Sequence, residues 1–433
     1  MGVPPGRVTV RASEVPAGAM LGLLAALLAF LTSQGLARPT LGMGLLLAWP
    51  VIAAVVVLTR QVWLAAVYLA ALGVTYRIGY LVGLPGMEKL SLRSDVLSLT
   101  GEAVQVLLAG GNPYTHVYTH VATPNWAGFP YPPGSLLWYL PGVVLGGIGF
   151  TEVVAATLIM IGFAVLAWVL RDDRLIAALG LYASAAPLVV LSADNSNDTS
   201  VGLLLFAATA TLLVARRRMS PGWLIVAAAL MGWAVAFKQY ALVFWVFYVA
   251  WLAVDGWVVQ EEAHGRPAPA GARPIPAWLA YAVLSAGVVA LLCLPFVLVD
   301  AGALTASLWW GTFNPSHPVG GWNVWAILRA WRHWDAGRLP GGWLHAAPVL
   351  VVLGVLGVAA RLGLDRPGRA VMLAVAASLL AFFAARWTTY AYFAGIAPVA
   401  LLIPFADTLG MPHPSAAVRT RRDGIASRAG TSP

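Results

Sequence analysis

Two carboxylates stand seven residues apart in "RSDVLSLTGEAVQVLLAGGNPYTHVY", which runs from Arg93 to Tyr118. On a helix that spacing puts Asp95 and Glu102 on one face. A carboxylate held against a hydroxyl can take its proton as the hydroxyl attacks, which is general-base chemistry. Ser94-Asp95 ahead of an apolar helical run also reads as a helix N-cap, and the spacing leaves both roles open. Three cations, Arg77, Lys238 and Arg386, fall near the ends of apolar runs. Arginine grips phosphate bidentately and lysine acts as a point charge. Each cation taken singly also reads as a snorkelling residue or a partner for a carboxylate. The stretch "DNSND" adds Asp194, Asn197 and Asp198 as polar groups at the same level. His116 and His120 have the i,i+4 spacing of metal ligands, but Pro113 and the surrounding loop argue against a helix there. No metal site is expected, and the single cysteine, Cys293, supplies neither a disulfide nor a thiolate site.

These groups must be positioned by a chain of unusual composition. Of its 433 residues 60% are hydrophobic and 10% charged, with a mean hydropathy of +0.81. Soluble domains carry roughly 25% charged residues, so this chain has too few to cover a water-facing surface. Apolar segments recur near 18–37, 41–58, 62–83, 135–149, 152–170, 175–193, 199–215, 222–238, 240–254, 278–299, 346–360, 370–385 and 390–405. Runs of this kind are the mark of membrane-spanning helices. The first is not expected to be a cleaved signal peptide, because further spans follow at once. The net charge of +9 sits in short clusters between the runs, which is positive-inside patterning rather than a nucleic-acid surface.

Arg7 and Arg11 at one end and "RTRRDGIASR" at the other both favour the cytoplasm. An even number of crossings is then required, so one of the thirteen segments does not span. The weakest is 135–149, which is short and contains Pro141. With it demoted, "ARRRMS" and 261–276 fall inside, while 84–134, 194–198, 300–345, Lys238 and Arg386 fall outside. Residues 1–410 form one polytopic domain, and 411–433 read as a disordered basic cytoplasmic tail. Within 84–134, the run after Asp95 reads as a short amphipathic helix lying on the membrane. Gly110, Gly111 and Pro113 end it, and "YPPG" fixes a turn before the next helix. The segment 300–345 holds seven of the 19 tryptophans. An interfacial belt accounts for several of them, while sugar rings also stack on indoles. His317 and Asn323, in the irregular "NPSHPVGGWN", are candidates for sugar or phosphate contacts.

The pattern "SD…GEAVQVLLAGGNPY…FPYPPGSLLWYLP" resembles the first exterior loop of the GT-C superfamily. More narrowly, it is similar to the polytopic mannosyltransferase-like proteins of glycosyltransferase family 87, which use polyprenyl-phosphate sugars. A second stretch, from "SADNSNDTSVG" to "AFKQYALVFW", is similar to that family's Gly-Gln-Asn-Asp element, basic turn and Lys-Gln-Tyr, although "DNSND" lacks the glycine and glutamine. The two stretches cover about 100 residues. The resemblance implies a GT-C bundle of about twelve transmembrane helices with exterior juxtamembrane helices. It implies Asp95 as catalytic base; with the cations and polar groups above, the substrate-binding candidates are Arg77, Arg93, Glu102, Asn112, Tyr114, Tyr131, Asp194, Asn197, Asp198, Lys238, Gln239, His317, Asn323 and Arg386. The activity implied is inverting transfer of a hexose, mannose by analogy, from a polyprenyl-phosphate donor to an exterior glycolipid or glycan. The lipid-linked sugar is a co-substrate, and no cofactor, metal or nucleic acid is implied.

Two other classes compete. A transporter or lipid flippase would also place charges near helix ends, and should show paired broken helices and a repeat of its halves; neither is evident in the sequence. A scaffold of an envelope-assembly complex would not need Asp95, Lys238 and Arg386 in one zone. The sidedness has a direct test. Cysteines introduced as His120→Cys and Gly320→Cys are expected to react with an impermeant thiol reagent in intact cells, and Ala268→Cys is not. The reverse pattern would overturn the topology.

Overall fold

The computed structural model describes residues 62–83, 95–119, 126–172, 174–193, 196–259, 274–313, 320–321, 323–332, 341–389 and 391–411. The expected spans 18–37 and 41–58, the tail beyond 411, and Arg93, His120, Asp194 and His317 lie outside the described residues. The described residues are all-α, with strands among them only as two-residue pairings. Six described helices are long and apolar enough to cross a membrane: Ile148–Leu170, Asp198–Arg218, Ala277–Trp309, His345–Leu362, Pro367–Ala384 and Ala391–Gly410. The chain divides into two compact units, residues 1–94 with 149–199, and residues 95–148 with 200–433.

In the first unit, α1 (Val62–Val82) packs against what hydropathy reads as a single segment, 175–193. The segment is two helices, α2 (Arg174–Ser184) and α3 (Ala186–Leu191), separated at Ala185, whose ψ of 111° is extended. Proline in the first turn of α3 has no N–H to continue α2. The break leaves the last carbonyls of α2 without helical partners, which hydrocarbon does not tolerate. Arg77 of α1 supplies the missing donors. Its Nη1 donates to the Ala183 carbonyl at 3.1 Å and its Nη2 to that of Tyr182 at 3.0 Å. Its Nε donates to the Ser192 hydroxyl at 2.7 Å, and its Nη1 also reaches the Gly73 carbonyl at 3.0 Å. The guanidinium lies 5.2 Å from the Tyr182 ring centroid and is fully buried. Long α4 (Ile148–Leu170) carries the equally buried Glu152.

The second unit is a helix bundle. Helix α5 (Asp198–Arg218), whose first residues belong to the first unit, leads through Ser220 into α6 (Pro221–Phe237). Then come α7 (Ala241–Asp255), α8 (Ala277–Phe313), α9 (Val324–Arg332), α10 (Gly341–Leu362), α11 (Pro367–Ala384), α12 (Ala391–Ala400) and the short α13 (Ala406–Gly410). Helix α6 crosses α8 so closely that a β-carbon at Gly232 would stand 2.5 Å from the Ser285 carbonyl oxygen. Backbone cannot give way there, so only glycine fits. Thr209 of α5 and Tyr248 of α7 share a buried hydrogen bond of 2.7 Å. Helix α8 is interrupted at Asp300, whose side chain then caps the next turn by accepting from the Ala303 N–H at 2.8 Å. The apolar stretch 135–149 yields the helix Pro133–Val144, whose twelve residues reach only about 18 Å. That is well short of the roughly 30 Å hydrocarbon layer.

Arg77 is therefore expected to be a keystone of its unit. Arg77→Met removes four hydrogen bonds to a charged donor and leaves buried carbonyls unpaired, a loss of about 3 kcal/mol or more. Thermal unfolding in detergent should show it as a clear fall in Tm, with Arg77→Lys intermediate. A parent-like Tm for Arg77→Met would remove that role.

Candidate functional site

Three polar turns of the second unit meet at one end of its bundle. The first follows the helix Val96–Leu108, where Asn112 accepts from the Tyr114 N–H at 3.0 Å in an Asx turn. Tyr114 then donates to the Tyr131 carbonyl at 3.0 Å, and Phe129 N–H donates to the Pro113 carbonyl at 3.0 Å. The Asn-Pro-Tyr and Tyr-Pro-Pro turns are thus bonded to each other. Ser307, from the part of α8 beyond its interruption, donates to the Tyr114 carbonyl at 3.0 Å, and Phe296 meets the Tyr114 ring edge-on at 5.3 Å. Burial pushes the Tyr114 hydroxyl well above its ordinary pKa. For Tyr118 burial acts first and the Glu102 carboxylate second, also upward. Both phenols stay protonated and donate, Tyr118 to the Pro113 carbonyl at 2.9 Å.

The second turn is Lys238-Gln239-Tyr240. Helix α6 ends because Lys238 is extended, with φ −151° and ψ 129°. Gln239 donates to the Pro130 carbonyl at 3.1 Å, and Trp233 to that of Gly134 at 3.1 Å. A β-carbon at Gly134 would stand 2.6 Å from the Ala236 carbonyl oxygen, so the Pro-Pro-Gly turn can seat against α6 only with glycine there. Lys238 is 3% exposed, and its ammonium lies 5.4, 5.6 and 5.0 Å from the ring centroids of Tyr131, Tyr240 and Tyr392. That is a three-walled aromatic cage for a cation. Phe382 supports it, 5.2 Å from Tyr240 and 5.0 Å from Tyr392.

The third turn follows α11. Trp325 donates to the Ala384 carbonyl at 2.7 Å, Asn323 donates to that of Arg386 at 3.2 Å, and Thr388 donates to that of Phe382. Asn323 also caps α9 by accepting from the Ala326 N–H at 2.8 Å. Its amide therefore fixes the chain at Arg386. Among the described residues, the Nε of Arg386 is buried without a hydrogen-bond partner.

The remaining candidates fall elsewhere. Asp95 occupies the N-cap position of the helix Val96–Leu108, but its side chain makes no capping hydrogen bond. Its backbone carbonyl accepts the first bond of the helix, from the Leu99 N–H at 2.8 Å. The thirteen-residue helix separates Asp95 from the Asn112 turn by about 20 Å. Glu102 binds the His116 Nε2 at 3.0 Å, so it tethers the helix to the turn. Asn197 and Asp198 are buried at the start of α5, where a carboxylate suits the helix dipole. Arg77 is committed to the carbonyls of its own unit, as described above. No group of three metal-ligating side chains occurs among the described residues.

Sequence reasoning singled out Lys238 and Gln239 but missed Tyr392. A tyrosine in "TTYAYFAG" is indistinguishable from an interfacial-belt residue until the fold brings it against Lys238. No known protein family, curated protein or solved structure matches the chain.

The cage itself predicts a graded response. Tyr392→Leu removes one wall, with a loss of about 1–3 kcal/mol from cation–π attraction and packing together. Tyr392→Phe keeps the ring and should lose about 1 kcal/mol at most. Equal falls in Tm for the two variants would show that the ring face over the ammonium is not what holds this corner.

Proposed function

We propose that the protein is an integral-membrane glycosyltransferase that moves a hexose, mannose by resemblance, from a polyprenyl-phosphate donor to a glycolipid or glycan hydroxyl on the extracytoplasmic side. The observation that carries the reading is the pair of cations at one bundle end, Lys238 in its tyrosine cage and Arg386 with a buried, unbonded Nε. Five residues separate Arg386 from Tyr392, the ring at 5.0 Å from the Lys238 ammonium. A lipid phosphate at the membrane surface is the anion that such a pair suits, since arginine and lysine both form charge-assisted bonds to it.

In this reaction the acceptor hydroxyl attacks the anomeric carbon while a carboxylate takes its proton; the resemblance gives that role to Asp95, which the helix Val96–Leu108 holds about 20 Å from the Asn112 turn. The bond from that carbon to the phosphate oxygen breaks, and the lipid phosphate leaves as an anion held by Lys238 and Arg386. No general acid is required, and a single displacement inverts the anomeric centre. A second reading, a lipid flippase or transporter, draws on the helix interruption at Ala185, since discontinuous helices line many transport sites.

Asparagine caps a helix as well as aspartate does but cannot accept the proton. Asp95→Asn is therefore expected to lose about 10²–10⁴-fold in transfer of radiolabelled sugar from a polyprenyl-phosphate donor while folding normally. Glu102→Gln should lose far less. Near-normal transfer by Asp95→Asn would sink the assignment of the base. A purified parent protein that moves lipid across vesicles but transfers no sugar would favour the second reading.

A further inference from the structure

At the end of the second unit opposite Lys238, apolar and basic features converge. A groove of about 400 Å³ runs between α7, α8 and α10, and its wall presents no polar surface. Trp245, Val249 and Ala253 line it at i, i+4 and i+8 along α7, a stripe of about 12 Å. Trp278, the second residue of α8, and Leu356 of α10 complete the walls. The volume lies within the range of roughly 300–1,000 Å³ typical of ligand pockets. It sits on helices whose outer faces carry exposed apolar side chains, among them Leu242, Val254, Trp278, Leu279 and Leu353.

All three helices reach the same basic end. Helix α7 stops at Asp255, two residues past Ala253, and α10 reaches Arg361 five residues past Leu356. Among the described residues of this unit, that end carries Arg216, Arg217, Arg218, Arg361, Arg366 and Arg369 against Asp255, Asp365 and Asp407. Every one of those aspartates is engaged. Asp255 takes both Arg216 Nε and Nη2, at 2.6 and 2.9 Å, Asp365 takes Arg369 at 2.7 Å, and Asp407 accepts from the Gly368 N–H at 2.8 Å. Arg218, Arg361 and Arg366 remain exposed beside the exposed Met219 and Leu362. Exposed arginines at the bundle end that an apolar groove also reaches complement one molecule: a lipid with an anionic headgroup.

We propose that this end of the second unit is a binding site for an anionic phospholipid, with one acyl chain in the groove between Trp245 and Trp278 and the phosphate among Arg361, Arg366 and Arg218. The site is independent of the transfer reaction and of the Lys238 end. It would couple the protein to the headgroup composition of that leaflet, since arginines near a membrane surface each favour anionic lipid.

The full-length protein in detergent, titrated with phosphatidylglycerol or phosphatidylcholine of matched chains and read by native mass spectrometry, tests this. Phosphatidylglycerol is expected to bind at least about fivefold more tightly, the increment of roughly one arginine. Arg361→Gln/Arg366→Gln should lose that preference while still retaining lipid. Ala250→Phe/Ala253→Phe, which fills the groove, should lose retention of both lipids. Circular dichroism and an unchanged Tm show that each variant folds. Equal binding of the two lipids by the parent, or full retention by the groove-filled variant, would overturn the proposal. So would a dimer that the groove-filling change dissociates, since the groove would then seat a second copy. Displacement of phosphatidylglycerol by polyprenyl phosphate at equal concentration would overturn it too, by assigning the groove to an isoprenoid chain.

Discussion

In hydrocarbon every backbone N–H and C=O must find its partner within the protein, because no water is there to supply one. The fold breaks its helices at several points, and each break leaves carbonyls or N–H groups to be satisfied. A side chain answers each time. Arg77 reaches across from α1 to the carbonyls at Ala185's break, and Trp325, Thr388 and Asn323 together take up the carbonyls at the end of α11. Gln239 and Trp233 bond the Tyr-Pro-Pro turn where α6 stops, and Asp300 caps its own interruption in α8. The polar residues of this sparsely charged chain are therefore concentrated where helices end, since an uninterrupted helix needs none.

That constraint also makes the candidate site rigid. Tyr131 is held by its carbonyl to Tyr114 and offers its ring to Lys238, so one residue joins two turns. Lys238 is at once the residue that ends α6 and the cation of the cage. Preorganised charge of this kind suits an anion that arrives with a hydrocarbon tail, because little reorganisation accompanies binding. The opposite end is built otherwise. Asp255 and Asp365 there are each paired with an arginine and the surplus arginines are exposed, which suits a headgroup region rather than a buried ligand.

The resemblance to a glycosyltransferase loop and the geometry bear on different parts of the proposal. The resemblance supplies the sugar chemistry and the role of Asp95. The geometry supplies two cations at one end. Arg77 and Asn323 belong to the positioning of the chain, since their donors are spent on backbone carbonyls.

The membrane class, the apolar helices and the cluster of chemistry around the Asn-Pro-Tyr and Lys-Gln-Tyr turns are legible in the sequence. They follow from composition, from runs of apolar residues, and from proline and glycine punctuation, all of which act locally. The split of 175–193 into two helices was hidden, because hydropathy averages over a break that one proline and a distant arginine create together. The Tyr392 wall of the cage, the Glu102–His116 tether and the double use of Asn323 were hidden for the same reason. Each is a contact between residues far apart in the chain or on different elements, and only tertiary packing decides which aromatic ring meets which cation. Local pattern says where the chain must turn; the need to satisfy every turn inside hydrocarbon decides what the turning residues touch.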